Sequence, residues 1–251
     1  MSNEFPVPDA TPVSLSDSFA DRPIRVLLVD DDALVRAALT MMLAGSDRVQ
    51  VVGEVGDGTQ VVAAVRKHRP DVVLMDIRMP RMDGLTATEL LSRESSGPQV
   101  IILTTFDADE YVLRAVRAGA SGFLLKDTPP TDLIRAIHLV AAGDAMLSPA
   151  VTRKVLSHVT DPAESAGATR RSRAKGLLAG LTDREREVAV AVGQGKSNAE
   201  IGAELYMSVA TVKAHVSRLL TKLDLNNRVQ VALLAHDSDL GRSDLTGTDP
   251  S

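Results

Sequence analysis

At 251 residues the chain has room for one large or two modest domains. It contains no Cys, which excludes disulfides and thiolate metal sites, and with aromatics at 2% and hydrophobics at 44% its cores must be aliphatic. The net charge of −5 is unevenly spread: residues 24–149 carry 13 Lys/Arg against 17 Asp/Glu, residues 150–236 carry 13 against 8, and the two tails are each −3. Only the later segment has the basic balance that suits a nucleic-acid backbone.

Residues 1–22 are rich in Pro, Ser, Asp and Thr, and are expected to form a disordered tail without the pattern of a signal peptide. No apolar run approaches the roughly 20 residues that span a bilayer, so the expected location is cytoplasmic, with no membrane partner. From residue 24 short apolar runs alternate with helical patterns. Strands are expected over 24–29, 49–55, 71–75, 100–104 and 122–125. Helices are expected over 33–43, 60–67, 85–93, 110–118 and 131–142. Apolar strands alternating with helices imply a parallel sheet covered on both faces, a doubly wound α/β domain over 23–148. Residues 149–178 read as a flexible linker, in which Arg170, Arg171, Arg173 and Lys175 supply loose positive charge. A small all-α domain is expected over 179–237, and a second disordered tail over 238–251.

The chemistry of the first domain collects at strand ends. Asp30, Asp31 and Asp32 follow the first strand, Asp76 follows the third, Thr104 ends the fourth and Lys126 follows the fifth. In an open parallel sheet the C-terminal strand ends form one ligand-binding edge. Clustered carboxylates repel, and a hard divalent cation such as Mg²⁺ resolves that repulsion with oxygen ligands. A carboxylate can serve as nucleophile towards a phosphoryl group, with the Thr104 hydroxyl and the Lys126 charge set against its oxygens. Asp32, directly before a helix, reads most simply as a helix cap, and Gly84 as a turn residue.

The stretches Val-Leu-Leu-Val-Asp-Asp-Asp ending at Asp32, Val-Val-Leu-Met-Asp76-Ile-Arg-Met-Pro-Arg-Met-Asp-Gly84, Leu-Thr104-Thr and Gly-Phe-Leu-Leu-Lys126-Asp resemble, in order and spacing, a response-regulator receiver domain with a flavodoxin-like five-stranded parallel sheet. The resemblance implies that Asp76 accepts phosphate from a sensor histidine kinase. It implies that Asp30, Asp31, Asp76 and the backbone carbonyl of Arg78 hold Mg²⁺, and that Thr104, Lys126 and Phe123 relay the modification, Phe123 swinging inward. Arg78 and Phe106 are expected to flank the path of attacking water and slow hydrolysis of the acyl phosphate. A phosphohydrolase would need a second acid two residues after the nucleophile, where Arg78 stands. A regulator sensing an apolar signal would need an enclosed apolar pocket instead of an acidic edge.

In the second domain Thr182 with Glu185, and Ser197 with Glu200, have capping-box spacing. Tyr206 and Met207 form a turn, and Ser208 caps a third helix with Val212, Val216, Leu219, Leu220 and Leu223 on its apolar face. This is the pattern of a helix-turn-helix. Leu-Thr182-Asp-Arg-Glu-Arg-Glu-Val, Lys196-Ser-Asn-Ala-Glu-Ile and Ser208-Val-Ala-Thr-Val-Lys213-Ala-His-Val resemble the LuxR-type DNA-binding domain. That resemblance implies double-stranded promoter DNA as a partner, with Thr211 opening the recognition helix. Lys213, Ala214 and Ser217 would approach base edges, and His215, Arg218 and Lys222 the phosphates. It also implies a homodimer on phosphorylation: of Val229, Val231, Leu233 and Leu234 on the fourth helix, some would close the small core and the remainder would form the dimer contact. Together the two resemblances are those of a NarL/FixJ-type response regulator, a transcription regulator and not a turnover enzyme.

Overall fold

A computed structural model describes residues 22–93, 97–105, 109–147, 172 and 174–238. The α/β unit runs β1 (Ile24–Val29), α1 (Ala33–Leu43), β2 (Val49–Val55), α2 (Val61–His68), β3 (Val72–Asp76), α3 (Gly84–Ser92), β4 (Gln99–Thr104), α4 (Asp109–Ala118), β5 (Gly122–Leu125) and α5 (Pro130–Ala141). All ladders are parallel, in the order β2-β1-β3-β4-β5. The sheet gains a two-residue edge strand, β6 (Met146–Leu147), paired with β5, which the sequence pattern was too short to reveal.

The two-residue period of the strands divides the core. Leu27, Val29, Val73, Met75, Ile102 and Phe123 pack on the face covered by α2, α3 and α4. Val26, Leu28, Val72, Leu74, Ile101, Leu103 and Leu124 pack on the face covered by α1 and α5. Strand order reverses between β1 and β3, so the segments that follow these strands lie side by side. Asp32 does cap α1: its side chain accepts from the Leu34 amide at 2.8 Å. Arg22, expected within the tail, is instead docked, its guanidinium donating to both oxygens of Asp71 at 2.7 and 2.8 Å. The rest of that tail, most of the 149–178 linker with Arg170, Arg171 and Arg173, residues 239–251, and Phe106 lie outside the described residues, whereas residues 174–178 of the expected flexible linker are helical and bury Leu178 in the core of the helical unit.

The helical unit comprises α6 (Asp183–Gly193), α7 (Asn198–Glu204), α8 (Val209–Leu223) and α9 (Arg228–Asp237) around a core of Val188, Val192, Ile201, Val212, Leu219 and Val231. Both capping boxes form, and the Ser208 side chain accepts from the Thr211 amide. Helix α9 is longer than its apolar run. Val229 and Val231 are buried in place, and Leu233 packs against the α2–α4 core of the α/β unit. That apolar surface is therefore not free for a dimer contact in this arrangement, because burying it against the first unit satisfies it already.

Candidate functional site

Three carboxylates meet at the reversal of strand order. Oxygens of Asp30, Asp31 and Asp76 all lie within 4.8 Å of one another. Asp30 and Asp76 are 2% and 6% exposed, whereas Asp31 stands at the surface. Each position follows from local structure. Asp76 is the last residue of β3 itself, in register with Leu103 of β4. The Arg36 guanidinium of α1 donates to the Asp30 carbonyl at 2.7 Å, and the Asp32 amide donates to Asp30 Oδ1 at 3.0 Å. The Arg78 amide donates to Asp76 Oδ2 at 3.0 Å. Gly84 permits the return of the chain into α3: a Cβ there would lie 1.9 Å from the Asp76 carbonyl oxygen.

Lys126 reaches into this cluster from the end of β5. Its Nζ stands 2.6 Å from Asp30 Oδ2 and 3.0 Å from Asp76 Oδ1. Its backbone amide donates to the Thr104 carbonyl at 2.8 Å, which ties the ends of β4 and β5 together. Burial, and behind it the charge of Asp30, pushes the Asp76 carboxyl above its ordinary range against the pull of Lys126. Burial also works against the Lys126 ammonium, but hydrogen bonds to Asp30 and Asp76 outweigh it and raise its pKa. The site thus holds more negative charge than one lysine relieves. Its donor set is all oxygen, which fits a hard divalent cation. Phe123 is already buried at 1% exposure among the α2–α4 core residues, so the expected inward swing is not available to it from this arrangement.

On the helical unit, Thr211, Lys213, Ala214, Ser217, Arg218 and Lys222 of α8 are exposed, and His215 is half-buried with its Nδ1 lacking a hydrogen-bond partner. These residues do not all face open solvent. Lys213 and Ser217 line a cavity of about 200 Å³ shared with Gln99, Ser121 and Asp144 of the α/β unit. Lys222 is paired with Glu185 of α6 at 2.7 Å. The hydrogen bond from Lys222 comes first among the causes that lower Glu185 to about 2, from an ordinary 4.5. A lowered carboxyl contributes stability that is present above its unfolded pKa and lost as pH falls through the folded one. Glu185→Gln, which keeps an acceptor for the cap, is therefore expected to melt below wild type at pH 7. Thermal scans should show the gap closing between about pH 4.5 and pH 2.

Sequence reasoning missed the polar seam between the units. Asn227, 1% exposed, caps α9 with its Oδ1 and donates from Nδ2 to the carbonyls of Val116 and Ala120 at 2.8 and 2.9 Å. Gln230 Nε2 donates to the carbonyls of Val116 and Arg117 at 2.8 and 3.2 Å. Asn227 and Gln230 thus bring side-chain donors to carbonyls in and just after the last turn of α4, where helix carbonyls run short of intrahelical partners. Asp144 accepts from the Asn198 amide and from Arg228, both at 3.0 Å. Arg228 also donates to Asn198 Oδ1 at 2.8 Å and to the Lys196 carbonyl. Nothing in periodicity or composition links Asp144 to Arg228, 84 residues away.

Two family models match the chain: the response regulator receiver domain over residues 26–138, and the luxR family of bacterial regulatory proteins over 179–235. Transcriptional regulatory protein LiaR of Bacillus subtilis is 38% identical over 217 residues, covering 86% of this chain and 99% of that one. Response regulator protein VraR of Staphylococcus aureus is 33% identical over 217 residues, covering 86% and 98%. Among solved structures, a LuxR-family two-component response regulator from Aurantimonas sp. SI85-9A1 is similar, with a TM-score of 0.52 and 28% identity over 55% of this chain and 99% of that one.

Proposed function

The chain belongs to the NarL/FixJ-type response regulators, two-component proteins that regulate transcription through a LuxR-type DNA-binding domain, and from that premise we propose that a histidine kinase phosphorylates it on Asp76 to release and pair its DNA-binding domain. The observation that carries this reading is the convergence of Asp30, Asp31 and Asp76 on Lys126 at the reversal of strand order. An Asp76 carboxylate oxygen forms the new P–O bond as the P–N bond of the kinase phosphohistidine breaks, and the electron pair of that bond returns to the imidazole. Lys126 is already in contact with Asp76 and turns to a phosphoryl oxygen, with the Thr104 hydroxyl donating to another. Asp30, Asp31, Asp76 and the Arg78 carbonyl would hold Mg²⁺, which when bound would supply positive charge against the phosphoryl oxygens. No step requires repeated turnover of a substrate.

The polar seam supplies the link to output. Lys213 and Ser217 line a cavity shared with the receiver, and a receiver beside that face of α8 would obstruct its entry into a major groove about 12 Å wide. DNA binding requires the two domains to part, and the modification need only shift that two-state equilibrium. Parting also frees the α9 surface around Leu233, which then becomes available to a second copy bound on the neighbouring half-site. Thr211, Lys213, Ala214 and Ser217 are assigned to the groove floor, and His215, Arg218 and Lys222 to phosphates, Lys222 after leaving Glu185.

The test compares unmodified and acetyl phosphate-treated protein in Mg²⁺. Light scattering is expected to show the mass doubling, and anisotropy titration of a labelled duplex to show binding at least roughly tenfold tighter, a difference of about 1.4 kcal/mol. Equal affinity of both forms would sink the proposed control.

A further inference from the structure

Asp57 is a buried acid that the phosphoryl-transfer site as described does not use. It follows β2 and is 2% exposed. Its Oδ1 accepts from the Thr59 amide at 3.0 Å and from the Thr59 hydroxyl at 2.6 Å, which caps the 3-10 turn Gly58–Gln60. Those bonds hold the carboxyl well below its usual range, at about 2. Capping that turn needs one oxygen. The other, Oδ2, accepts from the Arg81 amide at 3.1 Å, 24 residues away, with Arg81 Nε 3.6 Å off.

Arg81 lies in the segment between β3 and α3, the one that begins at Asp76 and carries the Arg78 carbonyl. The neighbouring residue closes the same contact. A Cβ on Gly58 would stand 2.5 Å from the Met82 carbonyl oxygen and 2.9 Å from Met82 Cγ. Because β1 lies between β2 and β3 in the sheet, this contact reaches past the end of β1, the strand that delivers Asp30. The 77–83 segment is held at its start by the Arg78–Asp76 bond and at its end by the Gly84 amide donating to the Ile77 carbonyl at 2.9 Å. Asp57 holds its middle from outside.

We propose that Asp57 is a positioning residue for phosphoryl transfer: by gripping the Arg81 amide it fixes the 77–83 segment, and with it the Arg78 carbonyl offered to Mg²⁺. The proposal rests on Asp76 being the acceptor. Its effect falls on metal affinity, since supporting contacts that orient a metal ligand commonly set affinity by one or two orders of magnitude.

Asp57→Asn separates positioning from capping. Asn keeps the volume and one oxygen, which stays with the two donors of Thr59. Its NH₂ then faces the Arg81 N–H, donor against donor. The Mg²⁺ concentration giving half-maximal phosphorylation by acetyl phosphate, followed by intact mass, is expected to rise roughly tenfold, while the rate at saturating Mg²⁺ changes less than about twofold. Mn²⁺ binding followed by electron paramagnetic resonance, with no phosphate donor present, should weaken by the same factor. Gly58→Ala, which presses on Met82 and leaves Asp57 intact, should act in the same direction. Thr59→Val, which loosens the cap and spares the Arg81 contact, should lower the thermal midpoint and leave the metal dependence alone. An Asp57→Asn protein with wild-type Mn²⁺ affinity overturns the proposal, as does a Thr59→Val protein that shifts metal affinity equally. Wild type that binds Mn²⁺ but takes no phosphoryl group overturns the assignment of Asp76 instead.

Discussion

Asp76→Ala is expected to take no phosphoryl group from acetyl phosphate and Mg²⁺, with the rate of modification falling on the order of a thousandfold or more, as for removal of a nucleophile generally. Intact-mass spectrometry beside wild type reads the result. The size of the effect follows from the absence of a substitute. Asp30 is the nearest other buried carboxylate, but at 2% exposure against 6% for Asp76 it offers a donor less access, and Lys126 holds its Oδ2 more closely, at 2.6 Å against 3.0 Å. Asp31 is exposed and has no such contact with Lys126 to gather charge on a transferring group. Asp76 alone combines burial, the Lys126 contact and a raised carboxyl pKa that keeps its oxygens basic. A mass gain that persists in the variant places the acceptor on Asp31 or Asp30 and leaves the Asp76 assignment wrong.

Asp144→Ala with Gln230→Glu is the second change with a large expected effect: DNA binding without phosphorylation. Asp144→Ala removes the acceptor shared by Arg228 and the Asn198 amide. Arg228 keeps Asn198 Oδ1 and the Lys196 carbonyl, so the output domain retains its own network. Gln230→Glu keeps an acceptor for the Asn226 amide, which the glutamine oxygen binds at 2.8 Å. It replaces two donors to the α4 carbonyls with negative charge. A neutral hydrogen bond contributes about 0.5–1.5 kcal/mol and a charged one about 1.5–3. Losing two bonds to a charged carboxylate and two neutral ones costs the closed form about 3 kcal/mol or more, on the order of a hundredfold in the open-to-closed ratio. Made in an Asp76→Ala background, so that no phosphoryl group contributes, the double variant should bind a labelled duplex as tightly as phosphorylated wild type. The gain stops once the domains are fully parted, so it is bounded by the initial closed population. Binding no tighter than the Asp76→Ala parent means that the seam does not restrain the output domain.

The legibility of these features in the sequence varied for physical reasons. The receiver strands show because a sheet covered on both faces demands near-continuous apolar runs. Helix starts at Thr182, Ser197 and Ser208 show because a cap and its partner are three residues apart and need nothing else. The acidic residues show because their positions at strand ends are fixed by topology alone. Strand β6 did not show, since two residues carry no period. Asp57 did not show either. A lone Asp before Gly reads as a turn, and its second oxygen acts on Arg81 across an intervening strand. Leu233 was legible as apolar but not as to what covers it.

The succession of strands and helices along the chain, the carboxylates and the lysine at the strand-end edge and the third helix of the helical unit were determined by the sequence itself, because each depends on local periodicity, on caps or on the rule that chemistry gathers at C-terminal strand ends. Tertiary structure alone decided how the two domains meet: that Asn227 and Gln230 cap another domain's helix, that Asp144 finds Arg228, and that Lys213 and Ser217 face the receiver. Such contacts join residues tens of positions apart through shape and through polar groups left open at helix ends, and no local pattern encodes which open carbonyl a distant amide will reach.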